Sequence, residues 1–479
     1  KRQIFMNLWP LKNKELQIYG GAGMQAAKGG VFLLWANADS SYWPLGGIDT
    51  PSTSLTLFTT YRGFYHAKVS YSTEGGNRYT ARFQHYYTNN ITHNTQQSSI
   101  SNLYYGEAQV FLSKGLPFSL NSGIAWTRNR TEAQLFGNHL AHSLSFYSML
   151  AYTLKDLMSI EGGLRLERFV VDTIATTHDK LPFFSVFKGG IALTPLPFMN
   201  IRASYSGGYR FPSIAELFTS TSVSSLHIFP NPQLKPEISH SFETGLRLFL
   251  VKERKAKIYS FIDIAIFYSR YLNMIEYNFG VFLPDTVKPP VPLQTLLKYI
   301  GFKPLNTEEA IVKGMEIVLN LNAKLPGSIV NGVSTSLGYT YTLPYYDKND
   351  TIYIATLSNK NSKFLKYRNK HLFTWEMSIS NNFLSIDFYG MLRTRFENID
   401  TIFIERNEFL PGFRNYWEKY NSTEYILNLM ITTAIKPVLT LSFIIENLTN
   451  SEIMGRPGDI QPPRTFKLQL NYKLGSPGS

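Results

Sequence analysis

The stretch that decides the fold is YSGGYRFPSIAELFTSTSVSSLHIFPNPQLKPEISHSFETGLRLFL, Tyr205 to Leu250. Its second part alternates. Ile238, Phe242, Leu246, Leu248 and Leu250 fall on one face, and Ser239, Ser241, Glu243, Gly245 and Arg247 on the other. Successive side chains of a strand point to opposite sides, so this is a strand with one apolar and one polar face. Its first part has no sustained period and is punctuated by Pro212, Pro230, Pro232 and Pro236. Proline has no N–H to give to a ladder, so this part reads as a long, shaped loop.

Working outward, the same unit recurs. From residue 101 onward fifteen strand-like runs are legible, among them Ser101–Ser113, His142–Thr153, Lys370–Ser380 and Arg464–Leu474. In the last, Phe466, Leu468, Leu470, Tyr472 and Leu474 alternate with Thr465, Lys467, Gln469, Asn471 and Lys473. The connections alternate in length. Short ones such as SKGLP, LKDL, TPLP, VKERKAK and SNNF are followed by long ones: Asn129–Ala141, Val171–Pro182, Ser206–Glu237, Ser269–Glu309, Thr342–Asn369, Thr394–Thr423 and Asn447–Pro463. Short turns at one end and long loops at the other describe an up-and-down barrel in an outer membrane, and strands this long cross the hydrocarbon when tilted. A soluble barrel of so many strands would leave an interior too wide for side chains to fill. Residues 1–100 are less legible: Glu15–Gly20, Gly30–Ala36, Ser54–Tyr61, Tyr65–Ser72 and Arg78–Tyr87 read as strands, and five to seven are expected there.

Composition agrees. Thirty tyrosines and 34 phenylalanines suit half-buried strands and interface belts. No apolar run is long enough for a membrane helix, whereas alternating strands average to neutral hydropathy. The chain has no cysteine, which excludes a disulfide scaffold and a thiolate metal site. Its net charge of +13 is scattered, without a nucleic-acid-binding motif, and reads as a charged surface and lumen facing anionic lipid. The N-terminal KRQIFMNLWP is no signal peptide, and GSPGS at 475–479 reads as a linker or scar, leaving 1–474 as one barrel domain.

Several segments carry a resemblance. GYRFPSIAELF followed by NPQLKPE and S-x-S-x-E-x-G, then MSIEGGLRLERF, VKGMEIVLN, LKYRNKHLF and IENLTNSEIMGRPGDIQPPRTFKLQLNYKL, in this order and spacing, resemble TonB-dependent outer-membrane receptors. LKYRNKHLF has Asn369 where the family pattern usually has proline. The resemblance implies an all-β transmembrane antiparallel barrel of about 22 strands, since such barrels have even counts, with short periplasmic turns and long extracellular loops. It implies a bacterial outer-membrane location. It also implies energy-dependent uptake of a scarce nutrient, an iron–siderophore chelate first, with haem, cobalamin or a plugless diffusion porin as alternatives. Coupling to TonB would run through a plug domain whose pattern is not found here. Outer-membrane lipid and lipopolysaccharide are further expected partners; nucleic acid is not.

No catalytic motif occurs: no G-x-S-x-G, H-E-x-x-H or Walker loop. A transporter is expected rather than an enzyme, with an outer-membrane hydrolase and an adhesin as rivals. No resident cofactor or metal is expected; His139 and His142 stand three apart, which pairs ligands on a helix but not in a loop entering a strand. His227 lies between the two boxes where haem-importing receptors of the resembled family carry a haem-ligating histidine, and imidazole is an axial ligand for haem iron. Tyr209, Arg210, Tyr345, Tyr346, Arg406, Arg414, Tyr416 and Trp417 are the other candidate ligand-binding residues, because guanidinium forks and aromatic faces suit anionic, ring-bearing chelates. For the aromatics the alternative is the membrane-interface belt. For Arg210 the alternative is a tie, with Glu216 and Glu243, between loop and wall.

Overall fold

The computed structural model describes residues 2–472 apart from 13–14, 33, 49–52, 94–96, 114, 172–183, 224–225, 254–256, 285, 289, 308, 326–328, 347–349 and 437. Among these residues, nineteen antiparallel strands form one meander, from Arg2–Lys12 to Thr465–Tyr472, each paired with its neighbour in the barrel order. The decisive stretch supplies two of them. Met199–Arg210 and Glu237–Glu253 pair from Met199↔Leu248 to Arg210↔Glu237, and the long loop stands between. The sheet rolls round on itself. Leu34 and Trp35, after the second strand, share a buried cluster with Met454, before the last.

The two faces of this sheet invert the soluble pattern. Phe242, Ile266, Leu144, Phe466 and Leu468 are exposed, whereas Ser145, Asp263, Ser269 and Ser442 are buried. The exposed residues oppose one another across strands, as Phe242↔Tyr268 and Leu144↔Trp126. The polar ones form hydroxyl pairs on the concave side: Ser241–Ser269 at 2.8 Å, Thr127–Ser143 at 2.7 Å and Thr432–Ser442 at 2.9 Å. Ion pairs line the same side, with Arg82 on Glu107 at 2.7 Å and Arg202 between Asp263 at 3.0 Å and Glu243 at 3.2 Å. An apolar outside with a polar lumen is the arrangement lipid demands. No helix among the described residues is long and apolar enough to cross a membrane.

Three expectations are corrected. The fifteen strands after residue 99 are as expected, but among the described residues the first hundred hold four where five to seven were expected, which makes nineteen strands described in the meander. The extra breaks were read at glycines that sit inside strands. Leu16–Phe32 and Leu55–Ser72 run straight through them. A side chain at Gly23 would meet the Phe64 ring at 2.5 Å and Phe5 at 2.6 Å, so this glycine makes room for aromatics of the neighbouring strands. Second, Asn129–Ala141 is no long loop: Ser119–Ala133 and Gly137–Leu154 extend outward and close in a tight turn at Gly137, whose φ is +85°. Third, Glu243 pairs with Arg202; the second carboxylate on Arg210 is Glu237. The expected loop at 172–182, the centre of the VKERKAK turn and the 475–479 tail lie outside the described residues.

Candidate functional site

The long connections do not stay irregular. They fold into a cap at the outer mouth. Ser213 opens the helix Ile214–Phe218 with a capping box: its hydroxyl accepts from the Glu216 N–H, and its own N–H donates to the Glu216 carboxylate at 2.7 Å. Thr221–Val223, Leu226–Ile228, Ile300–Asn306 and Ile275–Val281 make a four-stranded sheet, with Leu226–Ile228 parallel to Ile300–Asn306. Phe413–Tyr420 is an amphipathic helix burying Phe413 and Tyr416. Leu34, Trp35, Phe396, Ile399, Leu410, Phe413, Tyr416 and Met454 form the cap's main core, and the Trp35 indole N–H donates to the Pro411 carbonyl at 3.0 Å.

A buried polar hub ties three loops together. Lys366 is fully buried, and its ammonium donates to the Asp400 carboxylate at 2.7 Å, Asn278 Oδ1 at 3.1 Å, Thr356 Oγ1 at 3.2 Å and the Tyr277 carbonyl at 3.3 Å. Tyr367 donates to the other Asp400 oxygen at 2.6 Å from a left-handed backbone, φ +58°, which a bulky residue adopts only under firm constraint. Burial beside Asp400 holds the Tyr367 phenol well above its ordinary range. Burial likewise raises the Glu276 carboxyl, against the pull of Arg368 at 3.3 Å.

The candidate residues separate into distinct environments. Arg210 is a tie between wall and loop, donating to Glu237 at 2.5 Å and Glu216 at 2.9 Å. The Tyr209 hydroxyl is held by Glu167 and Arg165. Tyr346 packs with Ala310, Tyr353, Leu357 and Leu365. Strand alternation puts Tyr345 on the lipid side, in line with Ile311 and Arg270, with the Lys313 ammonium 5.6 Å from its ring. Its ring also meets the loop residue Phe364, 5.3 Å between centroids. Tyr416 is buried, Trp417 half-buried and Arg414 exposed on one short helix; Arg406, just before it, is exposed as well. His139 is buried and stacked on Phe218 at 3.9 Å, while His142, three residues on, faces the other side of the strand. Among the described residues no group of three or more His, Asp or Glu could hold a metal.

His227 stands apart. It lies on Leu226–Ile228 and is half-buried, with no hydrogen-bond partner for its imidazole among the described residues. Beside it a polar cavity of about 350 Å³ is lined by Gln134, Leu135, Ser220, Thr221, Ser222 and Phe229. Gly301 lets its strand approach so closely, since a side chain there would stand 2.1 Å from the His227 carbonyl oxygen. The hub around Lys366 was missed from sequence, because nothing local marks a lysine whose partners are 34 and 88 residues away.

The family model described as TonB dependent receptor-like, beta-barrel matches residues 23–448. The chain belongs to this family of outer-membrane transport receptors, which are not enzymes. Its relatives include the probable hemoglobin and hemoglobin-haptoglobin-binding protein 4 of Haemophilus influenzae, 26% identical over 274 residues, covering 55% of this chain and 24% of the relative. Hemoglobin-binding protein A of the same organism is 26% identical over 185 residues, 37% of this chain and 17% of the relative. The chain thus spans a quarter or less of the length of these curated relatives. Among solved structures, the hemophore receptor HasR of Serratia marcescens superposes with a TM-score of 0.60 at 14% identity, covering 98% of this chain and 80% of that one. The ferric enterobactin receptor PfeA superposes with a TM-score of 0.66 at 14% identity, covering 98% and 70%. These likenesses concern the fold.

Proposed function

We propose that this chain is the wall and outer-loop part of a TonB-coupled nutrient-uptake receptor, and that its ligand is haem, free or carried by a protein. The observation that carries the reading is His227: an imidazole with no hydrogen-bond partner among the described residues, on a loop strand beside a cavity at the outer mouth. Neutral imidazole is an axial ligand for haem iron. The names of the curated relatives, which bind hemoglobin, support the same ligand class.

The test is a haemin titration of the full-length receptor in detergent, followed at the Soret band. The expected result is a shifted band and at least tenfold weaker binding by His227→Ala. Unshifted haemin, or equal binding by the variant, sinks the assignment. A second reading, an iron–siderophore chelate, is favoured by exposed Arg414 on the same helix as half-buried Trp417, with exposed Arg406 earlier in the same loop, residue types suited to an anionic aromatic ligand. It predicts quenching of tryptophan fluorescence by ferric siderophore and no response to haemin.

A further inference from the structure

The four-stranded sheet of the cap has two unlike faces. Ile228, Phe302 and Phe279 are direct neighbours across three strands. Phe302 and Phe279 rest on the cap core, with Phe302 stacked on Phe403 at 6.0 Å and Phe279 against Phe409 at 6.1 Å. The adjoining row, Ser222, His227, Gly301 and Gly280, belongs to the opposite face, because successive residues of a strand alternate.

That opposite face carries aromatic rings that join none of the buried clusters among the described residues. Gly301 and Gly280 leave the middle of the row without side chains. Phe282 folds back over Gly280, its ring 3.2 Å from where a side chain would begin. Phe229, two residues beyond His227, meets that ring at 5.7 Å between centroids and the His227 imidazole at 5.8 Å. Lys303, two residues beyond Gly301, holds its ammonium 5.7 Å from the Phe282 ring. Among the described residues this ammonium has no carboxylate partner. A ring attracts a cation through its quadrupole and leaves the charge itself uncompensated. His227, Phe229, Phe282 and Lys303 are all half-buried, and His227 and Phe229 border the same polar cavity.

An imidazole, two phenyl rings and an uncompensated ammonium on one face suit a ligand with three properties. It has a metal with an open axial position, a flat apolar surface and an anionic edge. A ferric chelate whose own oxygens surround the iron leaves no place for an imidazole, whereas a porphyrin leaves its axial positions open.

We propose that this face is a porphyrin cradle in which Lys303 holds a haem propionate. Phe229 and Phe282 lie against the macrocycle while His227 meets the iron. The inference rests on the haem reading and adds what holds the ring apart from its iron. Strand spacing and rise put the Lys303 and His227 backbones about 8 Å apart, which sets the ammonium at the edge of a macrocycle centred on the imidazole.

The test titrates the full-length receptor in detergent with haemin, haemin dimethyl ester and metal-free protoporphyrin IX. Lys303→Gln should bind haemin and protoporphyrin IX about tenfold more weakly, the worth of one charge-assisted hydrogen bond. Its affinity for the ester, which has no carboxylate, should equal that of the wild type. Lys303→Arg should restore haemin binding, and Lys360→Gln, exposed on another loop, should change nothing. Phe282→Ala should weaken all three probes, and His227→Ala should leave protoporphyrin IX unaffected. Folding is checked by heat-modifiable gel mobility; should the glutamine variant fail it, Lys303→Met, which keeps the stem over Phe282, carries the comparison. Haemin bound through His227 but equally well by Lys303→Gln overturns the cradle and leaves the haem reading standing. An equal loss of haemin and ester does the same, since it would make Lys303 a support of the loop only. A wild-type receptor that binds none of the three overturns both.

Discussion

The wall and the cap of this barrel are built from one chain for two solvents. In the wall Leu144 and Phe466 are exposed and Ser145 and Asp263 buried; in the cap Trp35, Ile399 and Phe413 are fully buried and Arg406 and Arg414 exposed. The wall has no core because lipid takes the place of one. The cap meets water on its outside, so it needs a conventional core, assembled from loops at both ends of the chain. Cohesion differs accordingly. The wall is held by ladder hydrogen bonds shared among nineteen strands, whereas the cap depends on a few buried contacts. A single substitution should therefore damage the cap locally and the wall only where it offends lipid.

The largest expected effect is in the cap. Lys366→Met leaves the Asp400 carboxylate buried without its cation, which costs about 4 kcal/mol. Limited proteolysis should then cut between residues 273 and 423 while the barrel keeps its heat-modifiable mobility. Loss of that mobility would mean that wall and cap are not separable. In the wall, Leu150→Arg costs about 3 kcal/mol, because Leu150 faces the middle of the apolar band. Chemical unfolding in lipid vesicles reads this. An exposed leucine of a soluble protein would tolerate the same change, so a neutral result would remove the distinction between the two regions.

The smallest effect concerns pH. The Glu276 carboxyl is raised by burial, so the folded cap holds its proton to higher pH than the unfolded chain does. The unfolded chain then binds fewer protons above the ordinary carboxylate value, and cap stability falls as pH rises from about 4.5 toward the raised value. Glu276→Gln should flatten that decline, measured as hydrogen exchange of the loop amides across the same range. A slope unchanged in the variant would assign it to another group.

The same contrast explains what could be read from sequence. The fifteen strands from Ser99 onward were legible because period-two alternation is local and the wall obeys it throughout. The first hundred residues were not, because Gly23 and Gly29 look like breaks until the rings of Phe5, Phe64 and Phe58 are seen lying on the wall beside them. The cap was legible only in fragments. Ser213 and Glu216 spell a capping box, and Phe413, Tyr416, Trp417 and Tyr420 repeat at helical spacing, yet both stretches were read as long loops and their helices were missed. The Lys366 hub and the parallel pairing of His227 with Gly301 leave no local trace. Of the candidate residues, Tyr345 turned to lipid because its strand runs on past the point where a loop was expected.

The most direct measurement uses the absence of cysteine in the chain. Single cysteines at each position from Leu144 to Leu154 and from Leu410 to Tyr420 would be spin-labelled in the receptor reconstituted in lipid, and their collisions with oxygen and with a water-soluble nickel chelate compared. Along the first segment, even positions should meet oxygen and odd positions the chelate, with period two. Along the second, access should follow a helical period and meet water only. A helical or absent period in the first segment, or lipid contact at its odd positions, would contradict the account of the wall.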